Sequence, residues 1–251
     1  MSKILTALYS VLCYVFAMAT IVYLMGFVEG LLVPKSIDSG AVGGLWPSLV
    51  IDLALLAVFG VQHSVMARPG FKRVWTRFVP AAAERSTYLV FAGLTLVLLF
   101  WQWRPLTQSI WRVDNALFAN LLLALSWIGW GMVLLSTYLI SHPHLFGLTQ
   151  GFSGLLGRRE PEARFVTPML YKWSRHPLYT GFIIAFWAAP AMSLGHLVFA
   201  IGTTIYILIA IWFEERDLVA AFGDRYRQYR QEVGMIFPRL GRRRAPKTPL
   251  A

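Results

Sequence analysis

The sequence predicts an all-α membrane protein: a polytopic bundle of about six transmembrane helices followed by a C-terminal cytoplasmic helix. Three observations point there. The chain of 251 residues is 57% hydrophobic and only 14% charged, against about 25% charge in an ordinary soluble domain. Its apolar residues gather into long blocks almost free of charge, each close to the ~20 residues a helix needs to cross about 30 Å of hydrocarbon. Its basic residues, which set a net charge of +11, are concentrated in the connections between alternate blocks.

The blocks run over 4–28, 48–66, 86–103, 116–140, 177–193 and 195–213. The first is too long for the apolar core of a signal peptide and lacks a small-residue cleavage pattern, so it reads as a retained span. It holds the single cysteine, Cys13, which permits no disulfide framework and reads as a packing residue. The fifth block is short and runs into the sixth through Ser193-Leu194-Gly195. The pair reads either as a tight helical hairpin or as one re-entrant segment plus one span. After the last block, 213–232 reads as one helix, with Phe222, Tyr226, Tyr229 and Val233 recurring at spacings of three and four. The connections 29–47 and 104–115 hold turn formers and few charges. The segment 141–176 is the longest polar stretch between spans, and long loops tend to carry function.

Of the 23 Lys and Arg residues, only Lys35, Arg104 and Arg112 fall in the connections 29–47 and 104–115. The rest lie in Lys3, the 68–85 and 158–175 loops and the segment after Phe213. An excess of basic residues marks the cytoplasmic side, so both termini are expected in the cytoplasm. The charge then reads as topology, with some attraction to anionic lipid in the bilayer, and not as a nucleic-acid surface. No metal-ligand spacing is present. Residues 1–240 read as one membrane-embedded domain and 241–251, with Arg242-Arg243-Arg244 and two prolines, as a disordered basic tail.

Polar groups that could do chemistry cluster at the cytoplasmic ends of the blocks. The strongest run is Arg175-His176-Pro177-Leu178-Tyr179-Thr180-Gly181. Pro177 suits the first turn of a helix, whose free N–H groups and positive dipole end face an anion. Arg175 can grip a carboxylate, and Gly181 admits a ligand or a second helix. Glu214-Glu215 follows the last block, where acidic residues are the oddity; they can accept hydrogen bonds from an ammonium or from hydroxyls. Alternatively they pair with loop arginines. His63, His142 and His144 stand at block ends at this same level, where an ionisable residue is a functional candidate. His196 falls at the opposite end and is set aside.

The order Arg175-His176-Pro177-x-Tyr179-x-Gly181, an apolar hairpin, Glu214-Glu215, then Phe222-Gly223-x-x-Tyr226-x-x-Tyr229 resembles the C-terminal half of the isoprenylcysteine carboxyl methyltransferase superfamily, which includes phospholipid N-methyltransferases. In the N-terminal half, Gln62-His63-Ser64-Val65-Met66-Ala67-Arg68, Glu84-Arg85-Ser86-Thr87-Tyr88 and Leu145-Phe146-Gly147-Leu148-x-Gln150 resemble the methanethiol S-methyltransferases, bacterial inner-membrane enzymes that make dimethyl sulfide. The nitrite-reduction-associated membrane proteins share the His-Ser feature. One departure is Val233-Gly234 where the superfamily often has Val-Pro, which bears on the local path of that segment.

The resemblance implies an S-adenosylmethionine-dependent enzyme with a cytosol-facing, membrane-embedded site. It implies cofactor contacts from Arg175, His176, Pro177, Tyr179, Gly181, Glu214 and Glu215, with Leu148, Gln150 and Tyr226 as further contacts. His63, His142 and Arg175 are the catalytic candidates, because a small thiol must lose its proton to attack. Phe182, Phe186 and Trp187 are bulky enough to close a lipid-sized tunnel. A lipid or prenylcysteine carboxylate acceptor is the alternative, and a membrane component without enzymatic activity is a third reading.

Overall fold

The computed structural model describes residues 2–157 and 165–239; the expected basic tail, 241–251, lies outside them. Among the described residues five helices are long and apolar enough to cross a membrane: α1 (Lys3–Glu29), α2 (Leu45–Ala67), α4 (Ala81–Gln102), α5 (Ala116–Ile140) and α9 (Leu194–Phe222). Their ends follow local chemistry. Ser2 caps α1 by accepting from the Leu5 N–H at 3.2 Å, and Gly30 ends it at φ 68°, a left-handed conformation open to glycine. Asn115 caps α5 through the N–H groups of Leu117 and Phe118. Arg68 precedes Pro69, so α2 stops there and α3 (Pro69–Trp75) starts with Pro at its first position.

The sixth crossing is made differently from the expected helix. α8 (Pro177–Trp187) has 11 residues, about 16 Å of helix and half of what a bilayer core requires. Pro190 denies the segment before it a helical conformation. The chain instead continues extended into β2 (Ala191–Ser193), which pairs antiparallel with β1 (Ser109–Arg112) in the connection between α4 and α5. Extended chain gains about 3.3 Å per residue against 1.5 Å in a helix, so a short segment still reaches the far end. Ser193 then caps α9 through the His196 N–H at 3.0 Å. The segment is therefore an 11-residue helix followed by a short extended stretch that ends in the three residues of β2.

The connections carry structure of their own, and the C-terminal helix is divided. The 68–85 and 141–176 loops carry helix: α3, α6 (His142–Leu145), α7 (Leu148–Leu156) and a 3₁₀ turn over Met169–Lys172. His142 and His144 therefore stand in a separate turn beyond α5. The helix expected over 213–232 is two helices, because α9 runs on to Phe222, and Gly223 (φ 56°) breaks it from α10 (Asp224–Glu232).

The core is aromatic. Phe27, Phe100, Trp103, Trp130, Phe186 and Phe199 join α1, α4, α5, α8 and α9, with ring centroids 5.0 to 6.3 Å apart. α5 and α8 approach through Gly129 and Gly181. A Cβ on Gly181 would stand 2.6 Å from the Gly129 carbonyl oxygen, and one on Gly129 2.7 Å from that of Gly181. Such small-residue contacts hold helices together where hydrocarbon gives no hydrophobic drive. Cys13 is buried and free.

Candidate active site

The segment leading into α8 is locked from two sides. Arg175 Nε donates to Glu215 Oε1 at 2.7 Å, and its Nη1 donates to the carbonyls of Arg230 (2.9 Å) and Val233 (2.7 Å). Arg230 Nε stands 3.1 Å from Glu215 Oε2, and His176 Nε2 lies 3.3 Å from Glu215 Oε1. Arg175, His176 and Glu215 are all buried. A buried carboxylate is tolerable only when paired and hydrogen-bonded, and here both oxygens are engaged. Beneath this knot, Ser174–His176 runs beside Gly234–Ile236: the Arg175 N–H donates to the Gly234 carbonyl at 2.8 Å, and the Thr180 hydroxyl reaches that of Ile236 at 3.1 Å. Gly234 fits because a Cβ there would collide with the Phe237 carbonyl, which accounts for the absence of a proline at this position. Tyr229 donates to the Tyr171 carbonyl; burial pushes its hydroxyl up to about 12, so it remains a donor at neutral pH.

Around the knot stand groups with capacity to spare. Glu214 is half-exposed, its carboxylate 3.9 Å from His176 Nδ1, and Tyr179 lies beside it. Tyr226 is buried, yet its hydroxyl has no hydrogen-bond partner among the described residues. Pro177 opens α8 as expected. Gly181 serves the second of its two expected uses, the approach of a helix.

His63 lies just before the last turn of α2. Its Nε2 and the Tyr88 hydroxyl of α4 share a hydrogen bond of 2.7 Å, while its Nδ1 is shielded from solvent and has no partner among the described residues. Phe59 and Tyr206 flank the ring at 5.2 and 6.3 Å. Gly60 permits this, since a Cβ there would meet Tyr206 Cδ2 at 2.9 Å. Tyr206 belongs to α9, the helix that also carries Glu214 and Glu215. An ion pair between Arg68 and Asp217, 3.1 Å, fixes the end of α2 to the same helix.

His142 presents the opposite case. Its Nδ1 and the Thr137 hydroxyl are 2.8 Å apart, its Nε2 and the Tyr14 hydroxyl 3.1 Å, and Tyr138 stacks on the ring at 4.3 Å. Both nitrogens are occupied, and burial pulls its pKa down. Leu148 and Gln150 lie on α7, which packs against α1, α4 and α6. Gln150 lines a cleft of about 440 Å³ whose walls include Lys72, Glu84 and Arg85 on one side and Ile140 and His144 on the other.

The structure thus gathers Arg175, His176, Pro177, Tyr179, Glu214, Glu215 and Tyr226 at the α8–α9–α10 junction, with His63 joined to it through α9. His142, Leu148 and Gln150 form a second group on α6 and α7. Sequence reasoning missed Arg230 and Tyr206. Arg230 was legible as the residue four after Tyr226, on the same face of α10; nothing local marks Tyr206, which meets His63 only through packing.

No family model matches the chain, and no solved structure matches it. Curated relatives do. Methanethiol S-methyltransferase 1 of Bradyrhizobium diazoefficiens is 52% identical over 236 residues, covering 94% of this chain and 83% of the relative. Methanethiol S-methyltransferase of Mycobacterium tuberculosis is 49% identical over 238 residues, covering 95% and 98%. More distantly, Nurim of Danio rerio is 27% identical over 185 residues, covering 70% and 66%. With about half its residues shared with the bacterial enzymes along an alignment that includes both groups of candidate residues, this chain belongs to the methanethiol S-methyltransferase family of membrane methyltransferases.

Proposed function

We propose that the protein transfers a methyl group from S-adenosylmethionine to methanethiol, giving dimethyl sulfide, at the end of the bundle formed by the α8–α9–α10 junction and the C-terminal end of α2. Family membership supports the substrate. The position is supported above all by one observation: a shielded His63 nitrogen without a partner among the described residues, on the helix end that α9 couples to Glu214. The basic loops at this end support a cytoplasmic orientation for it and for both termini, in a bacterial inner membrane.

The residues present fit such a donor. Tyr226 offers a buried hydroxyl without a partner among the described residues. Glu214 offers a carboxylate that no arginine neutralises among the described residues. These can accept from an ammonium or from ribose hydroxyls. When bound, S-adenosylmethionine would supply an electrophilic methyl group on a sulfonium, open to in-line attack by a thiolate sulfur with S-adenosylhomocysteine as the leaving group. The protein's own tasks are then to fix the geometry, to remove the thiol proton and to exclude water. Arg175, His176 and Glu215 do the first indirectly, as positioning residues: they tie the start of α8 to α10 and hold Tyr226 and Glu214 in register. His63 does the second, its Nδ1 taking the proton in the tautomer that donates from Nε2 to Tyr88. Phe182 and Phe186 do the third, packed with Trp130 between α5 and α8. Trp187 takes no part in that filling; it turns outward and donates to Thr204 at 2.9 Å.

Purified protein with S-adenosylmethionine and a series of alkyl thiols tests this, read as S-adenosylhomocysteine formed and, for methanethiol, as dimethyl sulfide in the headspace. Turnover should fall from methanethiol to longer thiols by about 10-fold or more per methylene or two. Turnover of a farnesylcysteine or of phosphatidylethanolamine with methanethiol inert would overturn the reading.

A further inference from the structure

The cleft beside Gln150 belongs to neither the knot nor the His63 pair, and its chemistry is unspent. α4 packs on α1 and α2, whereas α5 packs on α8. The gap between the start of α4 and the end of α5 is bridged by α6 and α7, and the cleft of about 440 Å³ opens there. That is within the range of pockets that hold small ligands. Its depth is set by its lining: Ile140 is the last residue of α5, and Glu84 and Arg85 stand in the first turns of α4. Both are ends of membrane helices, where hydrocarbon gives way to headgroups.

Three polar groups in the cleft lack what they need. Gln150 is 7% exposed. Its Nε2 donates to the His144 carbonyl at 3.3 Å and lies 3.2 Å from His144 Nδ1. The carbonyl fixes which way the amide points, because an oxygen there would face an oxygen. Gln150 Oε1 is therefore the buried atom without a partner, and it requires an N–H or O–H donor. Arg85 spends its Nε on the Leu145 carbonyl at 2.8 Å and lays its guanidinium over the Tyr88 ring, with no carboxylate paired to it among the described residues. Lys72 has only a loose contact, 3.8 Å, with Glu84. Burial pulls the Lys72 pKa down, so an added anion would relieve it.

We propose that this cleft is a binding site for the headgroup of a bilayer phospholipid, one that pairs a phosphate with a hydroxyl or ammonium donor. The phosphate meets Lys72 and Arg85, and the donor meets Gln150 Oε1 and Glu84. The acyl chains run along the outer surface of α5, whose exposed apolar residues include Leu134, Leu135 and Ile140. Basic pockets between helices at the cytoplasmic level take lipid headgroups in this way. A free phosphate has the same anion and a soluble source, and the experiment separates the two.

The full-length protein, stripped of lipid in detergent, is titrated with dioleoyl phosphatidylglycerol or dioleoyl phosphatidylcholine in mixed micelles, or with glycerophosphoglycerol or inorganic phosphate in solution. Binding is read by native mass spectrometry and by the thermal midpoint. Phosphatidylglycerol carries hydroxyl donors and a net negative charge and phosphatidylcholine neither, so phosphatidylglycerol should bind about tenfold more tightly. Gln150→Leu should reduce that preference to what charge alone gives, and Lys72→Gln should weaken both lipids. Lys72 is partly exposed, which leaves the fold intact, and the thermal midpoint without lipid checks this for both variants. Equal binding of the two lipids, or unchanged phosphatidylglycerol binding in both variants, overturns the proposal. So does equal protection by glycerophosphoglycerol or inorganic phosphate, which would assign the cleft to a soluble phosphate.

Discussion

At the start of α8, Glu215 has both oxygens engaged and Arg175 donates to three acceptors; at the end of α2, His63 has one nitrogen bonded and the other idle. Both regions bury ionisable groups at the same end of the bundle, and both touch α9. The difference lies in satisfaction. A closed network stabilises one backbone arrangement and has nothing left to offer a reactant. A shielded nitrogen with an empty valence costs stability and is kept ready for a proton. Residues that look equally catalytic in the sequence therefore divide into those that hold the site and those that act in it.

The sharpest separation is between turnover and stability. His63→Gln keeps a group able to donate to Tyr88 but removes the imidazole base. Its turnover with methanethiol should fall by about 10²- to 10⁴-fold, the range for loss of general base catalysis, with the thermal midpoint in detergent unchanged and S-adenosylhomocysteine still bound. Wild-type turnover in this variant would move the base elsewhere and erase the contrast.

The second experiment approaches from the saturated side. Glu215→Ala leaves Arg175 and Arg230 facing each other with no carboxylate between them. Removing one member of a buried pair costs about 3–5 kcal/mol, so the thermal midpoint should drop clearly. Affinity for S-adenosylhomocysteine falls with it, because α10 loses its tether. The double variant Arg175→Met with Glu215→Leu should recover part of the lost stability, as apolar replacement of a whole buried pair often does. A Glu215→Ala protein that melts like wild type, yet no longer binds S-adenosylhomocysteine, would show Glu215 touching the ligand directly.

How far these roles could be read from the sequence differs by region. The five long helices announce themselves because each must satisfy its backbone alone in hydrocarbon, which forces ~20 apolar residues in a row. The sixth crossing does not, since its second half is satisfied by a partner strand: Ala191, Met192 and Ser193 pair with 109–112, more than 75 residues earlier in the chain. In the site, Pro177 and the Glu pair were visible as local anomalies. That Glu215 and not Glu214 is consumed depends on Arg230, and Arg230 reaches it only because Gly223 turns α10 back. That His63 is the idle histidine depends on where Tyr14, Thr137 and Tyr206 fall in packing, which no spacing in the chain records.

The smallest expected effect tests His142, the histidine that the comparison assigns to structure. Its two hydrogen bonds, to Thr137 and Tyr14, and its stacking on Tyr138 hold α6 against α1 and α5. Burial lowers its folded-state pKa below the usual value near 6.5. In the unfolded chain the ring takes up a proton as the pH falls through about 6.5, while in the folded protein it resists doing so until lower pH. The unfolded state therefore binds more protons in that window, and His142's contribution is fully present above about pH 6.5 and is lost progressively below it. A single site contributes a slope of at most about 1.4 kcal/mol per pH unit. The thermal midpoint of the wild type should accordingly fall between pH 7 and pH 5, and His142→Asn, with nothing to titrate, should show a shallower fall. Its turnover at pH 7.5 should stay within a few-fold of wild type, since both ring nitrogens are already taken up by Thr137 and Tyr14. A His142→Asn protein that melts with the wild-type pH dependence but has lost turnover by about 10²-fold or more would reverse the assignment and make His142, with its nitrogens freed on binding, the base.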